Sequence, residues 1–83
     1  MDEQLIGIVS NYFSNISVVA FEITNGKLKV GDHIHLKGRT TDFSVKVESI
    51  QTENNTIDIA QKGDDIGIKV DQKARSGDKV YLI

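Results

Sequence analysis

The sequence predicts an all-β domain: a small closed β-barrel of Greek-key type with about six to seven strands. Three observations predict it. Apolar and polar residues alternate with a period of two along most of the 83 residues, which is the pattern of half-buried strands. No window of helical length carries apolar residues at spacings of three and four, so little or no helix is expected. The third is a turn-and-strand pattern that recurs with the same chemistry at three places.

In chain order, Leu5–Val9 and Ile16–Ile23 are almost continuously apolar. Such runs suggest strands covered on both faces, or strands whose outer face meets the N-terminal arm or a partner. Asn25-Gly26 is the strongest hairpin signal, since both residues tolerate positive φ. Ile34 and Leu36 alternate with His33, His35 and Lys37, and Phe43, Val45 and Val47 alternate with Ser44, Lys46 and Glu48. Ile50 falls out of phase with that second set, which places a β-bulge or sharp bend near Glu48–Ile50. Asn54-Asn55 is a weaker hairpin signal, and Ile57 and Ile59 follow it in alternation. Ile66, Ile68 and Val70 form the next set, and Val80 and Leu82 the last.

The recurring pattern is Gly31-Asp32-His33-Ile34, Gly63-Asp64-Asp65-Ile66 and Gly77-Asp78-Lys79-Val80. A glycine at positive φ and an aspartate that accepts backbone N–H bonds make a turn that feeds a strand. The spacing is unequal, so this is turn chemistry reused and not a solenoid repeat. Gly26, Gly31, Asp32, Gly63, Asp64, Gly77 and Asp78 are therefore read as structural turn residues. With no proline in the chain, glycine and asparagine must supply the turns. A closed barrel also removes exposed sheet edges.

The length corresponds to one domain over residues 1–83 with a thin stability margin. There is no cysteine, which excludes disulfides and thiolate metal sites and fits a reducing compartment. The opening Met1-Asp2-Glu3-Gln4 does not read as a signal peptide, and no apolar run approaches the roughly 20 residues of a membrane span. A soluble, cytoplasmic protein without membrane association is expected.

The formal net charge is −2, which argues against avid binding to nucleic acid. Between Lys27 and Lys46, however, Lys27, Lys29, Lys37, Arg39 and Lys46 outnumber Asp32 and Asp42. If one face gathered them, it would be a basic patch; the plainer reading is a solvated mixed surface. Lys37-Gly38-Arg39-Thr40-Thr41-Asp42-Phe43 is the most distinctive loop. Gly38 frees the backbone, Arg39 offers a planar charged fork, and Thr40 and Thr41 add hydroxyl donors, so the loop could cradle a phosphate or a partner carboxylate. The competing reading is a strand connection in which Asp42 and the threonines bond their own backbone.

His33 and His35 lie on one strand face and could share a metal with a third ligand. No sequence-local carboxylate on that face completes a set, so no metal is expected. Catalysis finds no support: there is no cysteine nucleophile, no recognisable serine elbow and no carboxylate pair in an apolar pocket. No cofactor is expected, and a barrel this small is filled by its own side chains.

The segments Gly7-Ile8-Val9, Asn25-Gly26-Lys27-Leu28-Lys29-Val30-Gly31-Asp32-His33-Ile34, Ala60-Gln61-Lys62-Gly63-Asp64-Asp65-Ile66-Gly67 and Arg75-Ser76-Gly77-Asp78-Lys79-Val80 resemble, in order, domain II of translational GTPases of the elongation factor Tu type. The likeness runs from about Leu5 to Tyr81 and looks closest to short stand-alone translation elongation factor-like proteins. A similar barrel occurs as a C-terminal extension of collagenase-like peptidases, several of which act with RNA-modification pathways. The resemblance implies a non-catalytic module that contacts tRNA, rRNA or a translation-related protein, with Lys27, Lys29, Lys37, Arg39, Thr40 and Thr41 as binding candidates. No G-x-x-x-x-G-K-[ST] phosphate loop is present, so no nucleotide is expected. In the elongation factors an acidic residue of domain II helps hold the tRNA end; Ser49, not Glu48, stands opposite it in Val47-Glu48-Ser49-Ile50. The alternative is a protein-interaction subunit of a larger enzyme, such as a collagenase-like peptidase or RNA-modification protein, or a homo-oligomeric module. Tyr12, Phe13 and Tyr81 are its candidate anchors.

Overall fold

The computed structural model describes residues 3–53 and 55–83. The strands are β1 (Gln4–Phe13), β2 (Val18–Ile23), β3 (Lys27–Lys29), β4 (His33–Lys37), β5 (Asp42–Lys46), β6 (Ile50–Gln51), β7 (Thr56–Ile57), β8 (Ile59–Gln61), β9 (Asp65–Lys69) and β10 (Lys79–Leu82). No helix occurs among the described residues, and none is long and apolar enough to cross a membrane. Eight strands form one antiparallel sheet in the order β5-β4-β10-β1-β2-β9-β6-β7, and β3 and β8 form a two-stranded ribbon. The ribbon links the ends of the sheet, because β7 runs into β8 across Asp58 and β3 runs into β4 through Val30–Asp32. Backbone bonds from Val30 N–H to Asp58 O (3.0 Å) and from Gly31 N–H to Val47 O (2.8 Å) hold that junction. The all-β barrel architecture is thus present as a curled sheet, with the ribbon spanning the gap between edges.

Alternation places the core. Ile34, Leu36, Ile66, Ile68 and Val80 point inward and are buried, with Phe21, Ile6, Ile23 and Leu28 among the largest enclosed side chains. More and shorter strands form than the sequence suggests. Asp58 breaks the segment after β6, and the break shifts its phase: Ala60 is buried, whereas Ile59 is 58% exposed. The expected inward pair Ile57–Ile59 is therefore corrected to half-buried Ile57 and buried Ala60. The expected distortion near Glu48–Ile50 is a full break between β5 and β6, and it lets both Val47 and Ile50 face inward.

The bulges themselves lie in β1, between Leu5 and Gly7 against β10 and between Val9 and Asn11 against β2. They bend the longest strand around the core, as bulges do in curled sheets. Gly7 sits at the first bulge, where a Cβ would lie 2.6 Å from Glu22 O and 2.7 Å from Phe21 Cδ2. The apolar start of the chain is not covered on both sides: Ile6 and Val9 are buried while Leu5 and Ile8 are exposed. Asn25-Gly26 turns the chain with Gly26 at φ +75°, yet it makes no hairpin. β2 pairs with β1 and β9, and β3 pairs with β8, so the turn sends the chain from the sheet into the ribbon. At the Asn54-Asn55 signal, β6 and β7 do pair, Gln51 opposite Thr56; Asn54 itself lies outside the described residues.

The three Gly-Asp turns share one geometry. Gly31, Gly63 and Gly77 have φ of +100°, +97° and +95°. The N–H of Asp32, Asp64 and Asp78 bonds the carbonyl three residues back, on Lys29, Gln61 and Arg75. Each carboxylate in return accepts the N–H of that same residue, at 3.0, 2.9 and 2.8 Å. A glycine in third position with such a φ is the signature of a type II turn. The aspartate adds a second bond across it.

Candidate functional site

The loop from Lys37 to Asp42 joins β4 to β5 and is closed by Gly38 N–H to Thr41 O at 2.7 Å. Gly38 is not at positive φ. It is a place of close approach, since a Cβ there would lie 2.0 Å from Oδ1 of the buried Asp78. The loop is thus pinned on the Gly77-Asp78 turn and is not a free backbone. Thr41 is buried, Thr40 and Arg39 are exposed. Arg39 has no hydrogen bond or ion pair among the described residues. Asp42 does not fold back on its own loop; its carboxylate goes to His35.

The basic residues are divided between the ribbon and the larger sheet. Lys27 and Lys29 are on the ribbon, Lys46 is paired with His33 at the start of β4, and Lys37 and Arg39 are at its end. The two ends of a five-residue strand are about 13 Å apart. What Lys37 does meet is Lys79, its direct partner across the β4–β10 ladder, which sequence reasoning did not single out.

The ladders instead assemble a continuous outer face from β1, β10, β4 and β5. One row across it is Leu5, Tyr81, His35 and Ser44; the next is Ile8, Lys79, Lys37 and Asp42. Beside the first row, Ile83 N–H bonds His33 O, and His33 pairs with Lys46. The β1–β10 half of this face carries Lys79 but is otherwise apolar, with Leu5, Ile8 and Ile83 exposed and Tyr81 half-buried. The β4–β5 half is basic and polar.

His35 is the most constrained polar group on that face. Its Nδ1 lies 2.5 Å from Glu3 Oε2 and its Nε2 2.5 Å from Asp42 Oδ1. Its ring also tilts against Tyr81, with centroids 6.4 Å apart at 49°. The bonds to Asp42 and then Glu3 raise the His35 pKa above the usual 6.5. The same contact with His35 lowers that of Asp42. Two carboxylates therefore meet a histidine for which no nearby carboxylate was expected. Asp42 stands two register positions away across the β4–β5 hairpin, a diagonal contact that a register could have suggested. Glu3 comes close only because β10 inserts between β1 and β4. The carboxylates flank opposite ring nitrogens, so they do not converge on one point. No group of three or more metal-binding side chains is arranged to hold an ion among the described residues.

A histidine beside a carboxylate, with Ser44 its direct cross-strand partner, has the composition of a nucleophile relay. The geometry opposes that use. A relay needs one ring nitrogen on the carboxylate and the other free to take the serine proton, and here the second nitrogen is held by Glu3. Of the proposed aromatic anchors, Phe13 is exposed, while Tyr12 and Tyr81 are half-buried. Ser49 is half-buried in the β5–β6 break, in an open concavity of about 460 Å³ shared with Lys46, Lys69 and Asp71.

No family model matches the chain. It is 43% identical over 77 residues to a collagenase of Porphyromonas gingivalis, covering 92% of this chain and 21% of that protein. It is 38% identical over 79 residues to an uncharacterized protease of Methanocaldococcus jannaschii, covering 94% and 19%. The chain thus spans about a fifth of the length of the curated relatives it matches. Among solved structures, it is similar to the C-terminal domain of a Geobacillus thermoleovorans protein described as a candidate U32 peptidase. One crystal structure of it superposes with a TM-score of 0.89 at 19% identity, covering 96% of this chain and 92% of that one. The selenomethionine variant gives 0.86 at 20%, covering 93% and 96%. These likenesses show the fold.

They also correct the resemblance to translation factors. The relatives are named as a collagenase and a protease, and the structural neighbours are domains of a U32 peptidase. The reason is physical. The segments that carried the resemblance are mostly the Gly-Asp turns and their strands, which specify how a barrel turns its corners and not what it binds. The tRNA, rRNA and translation-factor partners inferred from that resemblance lose their basis.

Proposed function

We propose that this chain is a non-catalytic accessory barrel that works as part or partner of a larger protein of the U32 peptidase type. The supporting observation is that the matched segment makes up only about a fifth of each curated relative. In the solved neighbours the same fold is the C-terminal domain. A module of this kind needs a stable scaffold and a contact face, not a reaction centre. In keeping with this, the only Ser-His-carboxylate juxtaposition among the described residues has both imidazole nitrogens held by carboxylates. The cysteine-free composition suits a reducing compartment, and the cytoplasm is the proposed workplace.

The test uses the Porphyromonas gingivalis collagenase with its matched segment deleted. Analytical ultracentrifugation of that body with this chain should show a one-to-one complex at micromolar concentration. The chain by itself should leave gelatin intact. Cleavage of gelatin by the isolated chain, surviving purification to homogeneity, would overturn the non-catalytic assignment. No complex at any accessible concentration would overturn the accessory role.

A further inference from the structure

We propose that the outer face of β1 and β10, bordered by β4, is the surface on which the body of a U32-peptidase-type protein sits. This rests on the accessory reading above and adds where the contact lies and what chemistry it has.

Three observations converge on this face. The first is apolar exposure where a sheet meets solvent. Leu5 and Ile8 of β1 and Ile83, just past β10, are exposed, with Tyr81 directly opposite Leu5. The remaining exposed large apolar side chains are apart from it: Phe13 and Ile16 at the tip of the β1–β2 hairpin, Val30 and Ile59 at the ribbon. Apolar residues gathered beside an aromatic mark contact surfaces more strongly than scattered ones.

The second is where the chain enters. β1 begins at Gln4, and Glu3 just before it is anchored on this face through His35. In the solved neighbours the barrel is the C-terminal domain, so the preceding part of the protein joins at the strand that opens the barrel. In a relative, about four-fifths of the chain lies outside the matched segment. A body attached there is tethered at the Glu3 end of β1, beside this face.

The third is charge. The chain is net negative, yet the border of the apolar stripe carries Lys79 and Lys37 side by side. The two carboxylates nearby, Glu3 and Asp42, are both engaged by His35. The face therefore offers an apolar centre bordered by two adjacent lysines, with Asp42 also close to Lys37. Its complement is an apolar patch rimmed by aspartate and glutamate, where opposite potentials set register and speed encounter.

The test is side-chain footprinting by hydroxyl radicals on the complex of this chain with the segment-deleted collagenase body, together with affinities of variants. Leu5, Ile8, Tyr81 and Ile83 should become protected, and Phe13, Ile16 and Ile59 should not. Ile8→Asp should weaken binding at least about tenfold, as loss of an interface anchor does. Lys79→Glu should weaken it less, with a reduced salt dependence. Ile16→Asp should leave affinity unchanged. Ile8 is 47% exposed, and melting curves of each variant confirm that the barrel is intact. A complex whose protection falls on Phe13 and Ile16 or on Val30 and Ile59 overturns the proposed face and leaves the accessory role standing. Protection of the β1–β10 face by a second copy of this chain, with the body absent from it, also overturns it. Absence of any complex overturns the accessory role and this proposal with it.

Discussion

Replacing Gly38 by alanine adds one methyl group where there is no room for it. The new Cβ would stand 2.0 Å from Asp78 Oδ1 and 2.6 Å from its Cγ. Asp78 cannot swing aside without cost. It is only 6% exposed, and its Oδ2 accepts the Arg75 N–H at 2.8 Å. Its backbone is tied as well, since its carbonyl accepts the Val9 N–H at 2.8 Å. Forcing extra volume into a packed site costs about 1–3 kcal/mol. Losing a hydrogen bond to a carboxylate costs about 1.5–3 kcal/mol. The reduced freedom of the unfolded chain returns about 0.4–1 kcal/mol. The net loss is about 1.5–5.5 kcal/mol, against a total stability of about 4–12 kcal/mol for a chain of this length. Thermal melts followed by circular dichroism should show Tm falling by about 6–40 °C. A double-mutant cycle isolates the cause: with Asp78→Ala already present, Gly38→Ala should add little further loss. Strictly additive losses, or a Gly38→Ala variant as stable as the parent, would refute the close-approach argument.

Three further outcomes follow from the same geometry. Gly7→Ala should destabilise at least as much as Gly38→Ala in urea titrations, because the atoms in its way include the Glu22 carbonyl, which the β1–β2 ladder holds in place; a loss smaller than that of Gly38→Ala would contradict this. Arg39→Ala should shift stability by no more than about 0.5 kcal/mol in the same titrations, since an exposed side chain without a partner holds nothing in place. For His35, whose folded pKa is raised, the stabilising contribution is complete below its usual 6.5 and is lost as pH climbs through the higher folded value. For Asp42, whose folded pKa is lowered, the contribution is present above its usual 3.8 and is lost as pH falls through the lower one. The tie between β4 and β5 is therefore strongest between those two limits. An NMR titration should give His35 a midpoint above 6.5 that drops in Asp42→Asn; a midpoint at or below 6.5 in the parent would sink the assignment.

The period-two pattern was enough to read the barrel and most of its core, because burial on one face of a strand leaves a direct trace in sequence. Ile34, Leu36, Ile66, Ile68 and Val80 are inward as alternation requires. Alternation failed where the backbone itself breaks step. Asp58 resets the phase between β7 and β8, and a run such as Thr56–Ala60 carries no mark of which residue is left unpaired. The Asn25-Gly26 pair signals a turn, but turn chemistry does not say which partner each flanking strand takes. The candidate face was the least legible part. It is assembled by β10 inserting between β1 and β4, so Glu3, Tyr81, His35 and Asp42 become neighbours from four separate stretches of chain. Local reading could place His35 on an outer face and Asp42 near it, yet Glu3 needed the strand order. At Gly38 the sequence suggests backbone freedom and the structure has a lack of space, a distinction that depends on Asp78 arriving from forty residues downstream.

A chimera measures the account most directly: the Porphyromonas gingivalis collagenase carrying this chain in place of its matched segment, treated with a lysine-reactive crosslinker and read by mass spectrometry. If the barrel is an accessory domain seated through β1 and β10, crosslinks to the collagenase body will come from Lys37 and Lys79 at the border of that face. Crosslinks to the body from Lys27 and Lys29 on the ribbon, with none from Lys37 or Lys79, would contradict it.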